Sequence, residues 1–294
     1  MRLVRYGPVG AEKLGVVDAR GQIRAVPESY GDLTALRLSP RGLKELASLE
    51  IDYLPLVKGG TRFGPPCRNI GKFIAVGLNY SDHAAESGMP VPSEPVLFMK
   101  ATSCIVGPND QVMLPRGSLK TDWEVELGVV IGRQARYVTE AHALDHVAGY
   151  CVVNDVSERA YQLERGGTWD KGKGCDTFGP VGPYLVTADE VEDPQMLDLW
   201  LDVNGVRRQS GNTRTMIFTV RSLVSYISQF MTLNAGDLIT TGTPPGVGMG
   251  QKPTPIYLKA GDVVTLGISK LGSQRQEVIS YRNEWDKCTA KEQA

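Results

Sequence analysis

Apolar residues in this chain come in short runs, mostly alternating with polar ones and broken by Gly or Pro. Period-two runs bounded by such breakers predict strands, so the chain is expected to be β-rich. RLVRYG and KLGVVDARGQIRAVP read as two or three short strands joined by tight turns. SPRGLKELASL reads as a short helix, with Ser39 as N-cap and Pro40 at the first helical position. Residues 55–70 are rich in Gly, Pro and basic side chains without periodicity, which predicts a linker. Residues 1–65 are then expected to form a small N-terminal β-rich domain, and residues 70–285 a larger second one.

From Phe73 the character changes. FIAVGLNY reads as an apolar strand, NYSDHAAESGM as a helical turn opened by a polar cluster, and PVLFMK and CIVGP as further short apolar runs. In SLVSYISQFMTL the helical spacing of Leu223, Ile227 and Phe230 predicts a helix packed on a sheet. LNAGDLITTGT and LKAGDVVTLGI each place a Gly-Asp turn before a β-branched strand, so they are expected in related places on one barrel. The C-terminal KCTAKEQA reads as a frayed tail.

Polar residues that interrupt the apolar runs carry the chemistry. In TDWEVELGVVIG the alternation puts Glu124 and Glu126 on one face and Trp123, Val125 and Leu127 on the other. Asp155 closes a second apolar run, HVAGYCVVND. Carboxylates crowded into segments that otherwise read as core repel each other and lose hydration. A hard cation relieves both, and the lack of Cys or His in these runs favours Mg²⁺ or Mn²⁺ over Zn²⁺. An acidic barrel mouth facing water is the plainer alternative. Relief of repulsion also predicts that the apoprotein tolerates loss of either glutamate.

Composition narrows the functional classes. The net charge is -1 over 294 residues, which argues against nucleic acid or an anionic membrane as the main partner. No run approaches the length of a membrane helix, and the N-terminus lacks the pattern of a signal peptide. Five cysteines without CxxC spacing predict no disulfide framework and a reducing, cytoplasmic setting.

Three more segments bear on chemistry. His83 and Glu86 in NYSDHAAE stand at i and i+3, where a carboxylate can raise the basicity of an imidazole and fix its tautomer. Their plainer reading is a surface ion pair. GGTWDKGKGCDTFGP sets Lys171 and Lys173 among glycines, and a lysine near the carboxylates could hold a substrate carboxylate or an oxyanion. TTGTPPGVGMG lacks the GK[ST] ending of a phosphate loop; its Thr241, Gly242 and Thr243 suit contacts to a small polar ligand instead. Arg159 and Gln162 follow Asp155 by about one and two helical turns and could face the same cavity.

Taken in order, NYxDHxxE, SEPVLFMK, ExE, NDVSxRxxQ, GKGxDTFGPxGP and TGTPxGVG resemble the fumarylacetoacetate hydrolase family, over roughly residues 70–270. The resemblance implies a mixed α/β, β-rich fold, a β-sandwich roll of mixed sheets, here with the small N-terminal domain found in one bacterial branch. It implies Mg²⁺ or Mn²⁺ held by Glu124, Glu126 and Asp155, a catalytic lysine at Lys173, and a water-activating His83–Glu86 pair on a lid. Arg159, Gln162, Gly242 and Thr243 would position a small 2-oxo acid, and the enzyme would be a homodimer.

The implied reaction is hydrolysis of the C–C bond of a 2,4-dioxo acid to pyruvate and a second carboxylic acid such as lactate. WEVELGVVIG and NDVSERAYQLERGGTWDKGKGCDTFGP most resemble the branch acting on 2,4-diketo-3-deoxy sugar acids, such as the L-rhamnonate derivative. Loops such as 87–93 and 206–216 are expected to line the acyl side. Oxaloacetate decarboxylation and isomerisation or hydration of 2-oxo-dienoic acids are the alternatives on the same core, and a non-catalytic oxo-acid binder is the alternative of another class.

Overall fold

The computed structural model describes residues 1–88 and 90–282; the expected frayed tail lies outside them. Three strands form at the N-terminus, β1 (Arg2–Tyr6), β2 (Lys13–Val17) and β3 (Ile23–Ala25). Helix α1 (Pro40–Ala47) starts where the sequence predicts, with the Gly42 amide donating to Ser39 Oγ at 3.1 Å. There follow β4 (Phe73–Gly77), α2 (Ser81–Ser87) and β5 (Val96–Lys100). Next come β6 (Val125–Ile131), β7 (Val147–Asn154), α3 (Arg159–Leu163), α4 (Asp170–Lys173) and β8 (Gly179–Thr187). The last elements used below are β9 (Asp198–Val203), β10 (Val206–Asn212), α5 (Val220–Ile227), β11 (Leu238–Thr240), β12 (Val263–Ile268) and β13 (Gly272–Ile279).

The larger sheet runs β3-β2-β1-β8-β7-β6-β11-β4-β5, mostly antiparallel, with β11 and β4 parallel. A second sheet contains β10-β9-β12-β13. Strand pairing crosses the proposed boundary at 65–70, because β1 hydrogen-bonds β8 with Leu3 opposite Leu185. The segment 55–70 is irregular but bridges back to the first strands, Phe63 to Tyr6 and Leu56 to Arg24.

Strands β6 and β7 are buried along their whole length and separate two apolar cores. Val125, Leu127, Val129 and Ile131 enter one core, and Val130, Cys151 and Val153 the other. Glu126 has the parity of Val130, so the carboxylate face is the second core's face continued to the strand end. Among the described residues no cysteine is in a disulfide, and Cys151 is buried in β7 as a small hydrophobe.

Two expectations are corrected. Leu223 and Ile227 are buried in α5, but the helix ends at Ile227 and Phe230 is 64% exposed, edge-on to Tyr226. Helical spacing beyond a helix end carries no facing information. The two Gly-Asp segments also feed different sheets: β11 joins the larger one and β12 the second. Their likeness records a shared turn chemistry, not a shared place.

Candidate active site

The register of β6 against β7 builds the acidic cluster. Val153 pairs with Glu126 and Asn154 with Val125, so one step further Asp155 lies opposite Glu124, and its amide donates to Glu124 O at 2.9 Å. Carboxylate oxygens of Glu124, Glu126 and Asp155 come within 4.8 Å of one another, and all three residues are buried. A water-facing acidic mouth is therefore not what forms.

Three cations meet this cluster. Lys173 Nζ donates to Glu124 Oε2 and to Asp155 Oδ2, both at 2.6 Å. Arg159 Nη2 donates to Glu124 Oε1 at 2.7 Å, its Nε to Asp122 at 2.9 Å and its Nη1 to Gln162 at 3.0 Å. Lys173 reaches the cluster because α4 packs on α3 through Gly172, where a Cβ would lie 2.5 Å from Gln162 N and Glu158 O. The third cation is Lys100, at the end of β5. Its Nζ sits 2.6 Å from Asp155 Oδ1 and donates to the Val156 carbonyl at 3.2 Å and to the Lys173 carbonyl.

Burial pushes the Glu124 carboxyl up, but the charges of Lys173 and Arg159 outweigh it and hold it at about 2. Glu126 goes the other way. Burial, then the charges of Asp155 and Glu124, push it well above the usual carboxylate range. Burial lowers Lys173, but Asp155 and Glu124 more than restore it, so the amine stays charged.

The donor set fits a hard divalent cation. Four carboxyl groups (Asp122, Glu124, Glu126, Asp155) face three cations, and among the described residues Glu126 makes no ion pair, so a further cation would favour its ionised form. Asp155 Oδ1 is buried and receives no hydrogen bond, since Lys100 approaches it off the hydrogen-bonding directions. Oxygen donors of this kind suit Mg²⁺ or Mn²⁺.

Glu126 is fixed from the opposite side by the Thr240 hydroxyl at 2.6 Å and the Gly242 amide at 2.8 Å. Gly242 is left-handed, φ +89°, and a Cβ there would lie 2.8 Å from Asn79 Cβ. Its amide thus serves Glu126, although Gly242 was expected to contact ligand. Thr243 donates to Val125 O at 2.9 Å and accepts from Gln209 at 2.7 Å, while Thr241 is fully buried and bonds Leu127 O. Lys171 points away from the cluster to the Arg165 carbonyl.

A cavity of about 200 Å³ opens onto the cluster, lined also by His83, Arg159, Gln162, Lys173, Gly242 and Thr243. His83 Nδ1 lies 3.1 Å from Glu86 Oε2, and the Gly246 amide donates to the same carboxylate oxygen at 3.2 Å. The wall opposite is apolar: Phe98, Leu163, Trp169, Val247 and Met249. The expected loop 206–216 contributes nothing to this lining, because 206–212 is strand β10 in the second sheet.

Sequence reasoning missed Asp122, Lys100 and the apolar wall. Asp122 has the parity of Glu124 and Glu126, so the same alternation pointed to it. It accepts from the amides of Gly248 and Met249 at 2.6 and 2.9 Å as well as from Arg159. Lys100 ends an apolar strand, and only its burial distinguishes it from a solvated lysine.

Comparison with known proteins agrees with this geometry. The profile described as "Fumarylacetoacetate (FAA) hydrolase C-terminal" matches residues 72–279. A relative from Burkholderia ambifaria, described only in general terms as a hydrolase, is 62% identical over 96% of this chain and 100% of its own. The structure of maleylpyruvate hydrolase from Sphingobium sp. SYK-6 in complex with manganese(II) and pyruvate is 30% identical, with a TM-score of 0.80 over 96% of this chain and 100% of that one. A 2-hydroxyhepta-2,4-diene-1,7-dioate isomerase from Mycobacterium marinum is 33% identical, with a TM-score of 0.72 over the same shares. With the profile spanning most of the sequence and the fold shared from end to end, the chain belongs to the fumarylacetoacetate hydrolase family.

Proposed function

We propose that this protein is a Mg²⁺- or Mn²⁺-dependent hydrolase that cleaves the C3–C4 bond of a 2,4-dioxo acid, releasing pyruvate and a second carboxylic acid. The observation that carries the reading is that one cavity holds both a buried three-carboxylate cluster and a histidine paired with a carboxylate. Glu124, Glu126 and Asp155 would hold the cation, which supplies Lewis acidity to the substrate's carboxylate and 2-oxo oxygens.

Glu86, itself steadied by the Gly246 amide, holds His83 with Nδ1 protonated, so that Nε2 is the nitrogen able to accept a proton. His83 takes that proton from water, whose oxygen adds to C4. The C3–C4 bond breaks with its electron pair at C3, and a proton delivered there gives the methyl group of pyruvate. Lys173 keeps positive charge beside the reacting oxygens, and Arg159 with Gln162 sets the position of the substrate. Thr243 completes the wall.

The 2,4-diketo-3-deoxy sugar acids, among them the L-rhamnonate derivative, fall within this class, and the homodimer belongs to the same reading, checked by light scattering. Residues 1–65 contribute no lining residue, which supports assigning the chemistry to residues 70–285, although the N-terminal strands extend the same sheet; of that range 283–285 lie outside the described residues.

The similarity to an isomerase supports a second reading, in which the same cluster serves 2-oxo-dienoic acids without water attack. Incubation with Mg²⁺ and a 2,4-dioxo acid in ¹⁸O-water separates the two. Hydrolysis puts ¹⁸O into the second carboxylic acid and releases pyruvate. Turnover of a 2-oxo-dienoate or of oxaloacetate, with no pyruvate from any 2,4-dioxo acid, would replace the hydrolase reading.

A further inference from the structure

Resting on the acylpyruvate reading, we propose that this site selects acyl groups ending in an uncharged, apolar terminus and discriminates against substrates carrying a second carboxylate. The argument is one of charge supply. Arg159 and Lys173, the cations that line the cavity, are both engaged by Glu124, with Asp122 and Asp155 as their further partners. They are spent on the carboxylate cluster at the floor, where the 2-oxo acid end would lie.

The rest of the lining includes the apolar side chains of Phe98, which packs on the Lys173 ammonium, and of Trp169, Val247, Leu163 and Met249. Leu163 and Met249 are 51% and 38% exposed, apolar surface that a charged acyl end would not cover. Phe98 and Trp169 meet edge to face with centroids 5.2 Å apart, a packed aromatic pair in the wall.

The segment that carries His83 has no Lys or Arg to offer. From Leu78 to Met99 the chain contains no Lys or Arg, while it carries Asp82, Glu86 and Glu94. The basic side chains closest in sequence to the rim are turned elsewhere: Arg165 stacks on Tyr161 at 4.9 Å, and Lys171 donates to the Arg165 carbonyl at 2.7 Å. A second carboxylate in the substrate would therefore lose hydration against Trp169, Leu163 and Met249 without an unpaired Lys or Arg in the lining to receive it.

The test uses two substrates of equal length, 2,4-dioxoheptanoate and 2,4-dioxoheptanedioate, which differ by a terminal methyl against a terminal carboxylate. Pyruvate release is measured with the Mg²⁺-loaded full chain. The expected kcat/KM ratio favours the monoacid on the order of 10²-fold. Leu163→Lys, which adds a cation at the rim, should move that ratio towards the diacid by about tenfold, close to the lower end of what close charge pairs contribute at interfaces. A ratio near one, or one favouring the diacid, overturns the selectivity while leaving acylpyruvate cleavage standing. Absence of pyruvate from both substrates overturns the hydrolase reading, and this inference with it.

Discussion

The floor and the rim of the cavity are built on opposite principles. At the floor Glu124, Glu126 and Asp155 stand on two fully buried strands, and every one of them is held by several partners: Lys173, Arg159, Lys100, Thr240 and the Gly242 amide. At the rim His83 and Glu86 ride on α2, a seven-residue helix. Tyr80 and Ala84 anchor it in the core, while Ser81 donates to Thr215 O at 3.2 Å, Thr215 to Asp82 at 3.3 Å and the Gly246 amide to Glu86 at 3.2 Å. Many converging bonds fix a geometry, whereas few buried contacts leave a segment of low local stability. The contrast teaches that charge placement is preorganised here, and under the proposed reading water activation falls to the less anchored part.

The strongest way to break the comparison is to remove what the floor is built for. Chelation with EDTA should reduce pyruvate release to background, and added Mg²⁺ or Mn²⁺ should restore it. Full turnover by protein shown to be metal-free by elemental analysis would refute the cation site.

The rim is probed next. His83→Ala should lower kcat by on the order of 10²–10⁴-fold, the contribution of a general base. Metal-dependent binding of oxalate, measured by calorimetry, should stay nearly unchanged, because the floor is intact. Loss of oxalate binding in this variant would mean that His83 belongs to the floor.

Within the floor the two glutamates should differ, against the expectation that either can be lost without harm. Glu124 pairs with both Arg159 and Lys173, so Glu124→Ala leaves these buried cations with one carboxylate each, Asp122 and Asp155, and should cost about 3 kcal/mol of stability. Glu126 is the carboxyl whose ionisation burial, Asp155 and Glu124 all oppose, so Glu126→Gln should leave the metal-free protein as stable or more so while weakening metal binding. Urea denaturation of the two metal-free variants checks this; equal midpoints would contradict the charge distribution described above.

The smallest effect concerns motion. Amides over residues 81–93 should exchange faster than those of β6 and β7, and gain protection when Mg²⁺ and oxalate are added together but little with Mg²⁺ alone. Equal protection in the ligand-free protein would show that floor and rim are equally fixed.

What the sequence determined by itself was whatever depends on local geometry. The i, i+2 relation of Glu124 and Glu126, the Ser39 cap and the i, i+3 spacing of His83 and Glu86 need no partner strand, because backbone dihedrals alone set them. Order and spacing of six motifs carried the family, whose match over residues 72–279 follows from the same text. The tertiary structure decided everything that depends on which distant segments meet. Only the β6–β7 register puts Asp155 opposite Glu124, and only the approach of β5 and α4 brings Lys100 and Lys173, 73 residues apart, onto the same carboxylate. It alone gave the Gly242 amide to Glu126, ended α5 before Phe230 and lined the opening with Leu163, Trp169 and Met249. Such contacts are chosen by the packing of the whole chain, where a lysine's meaning turns on whether water or a buried carboxylate is beside it, and nothing in its neighbours along the sequence records that.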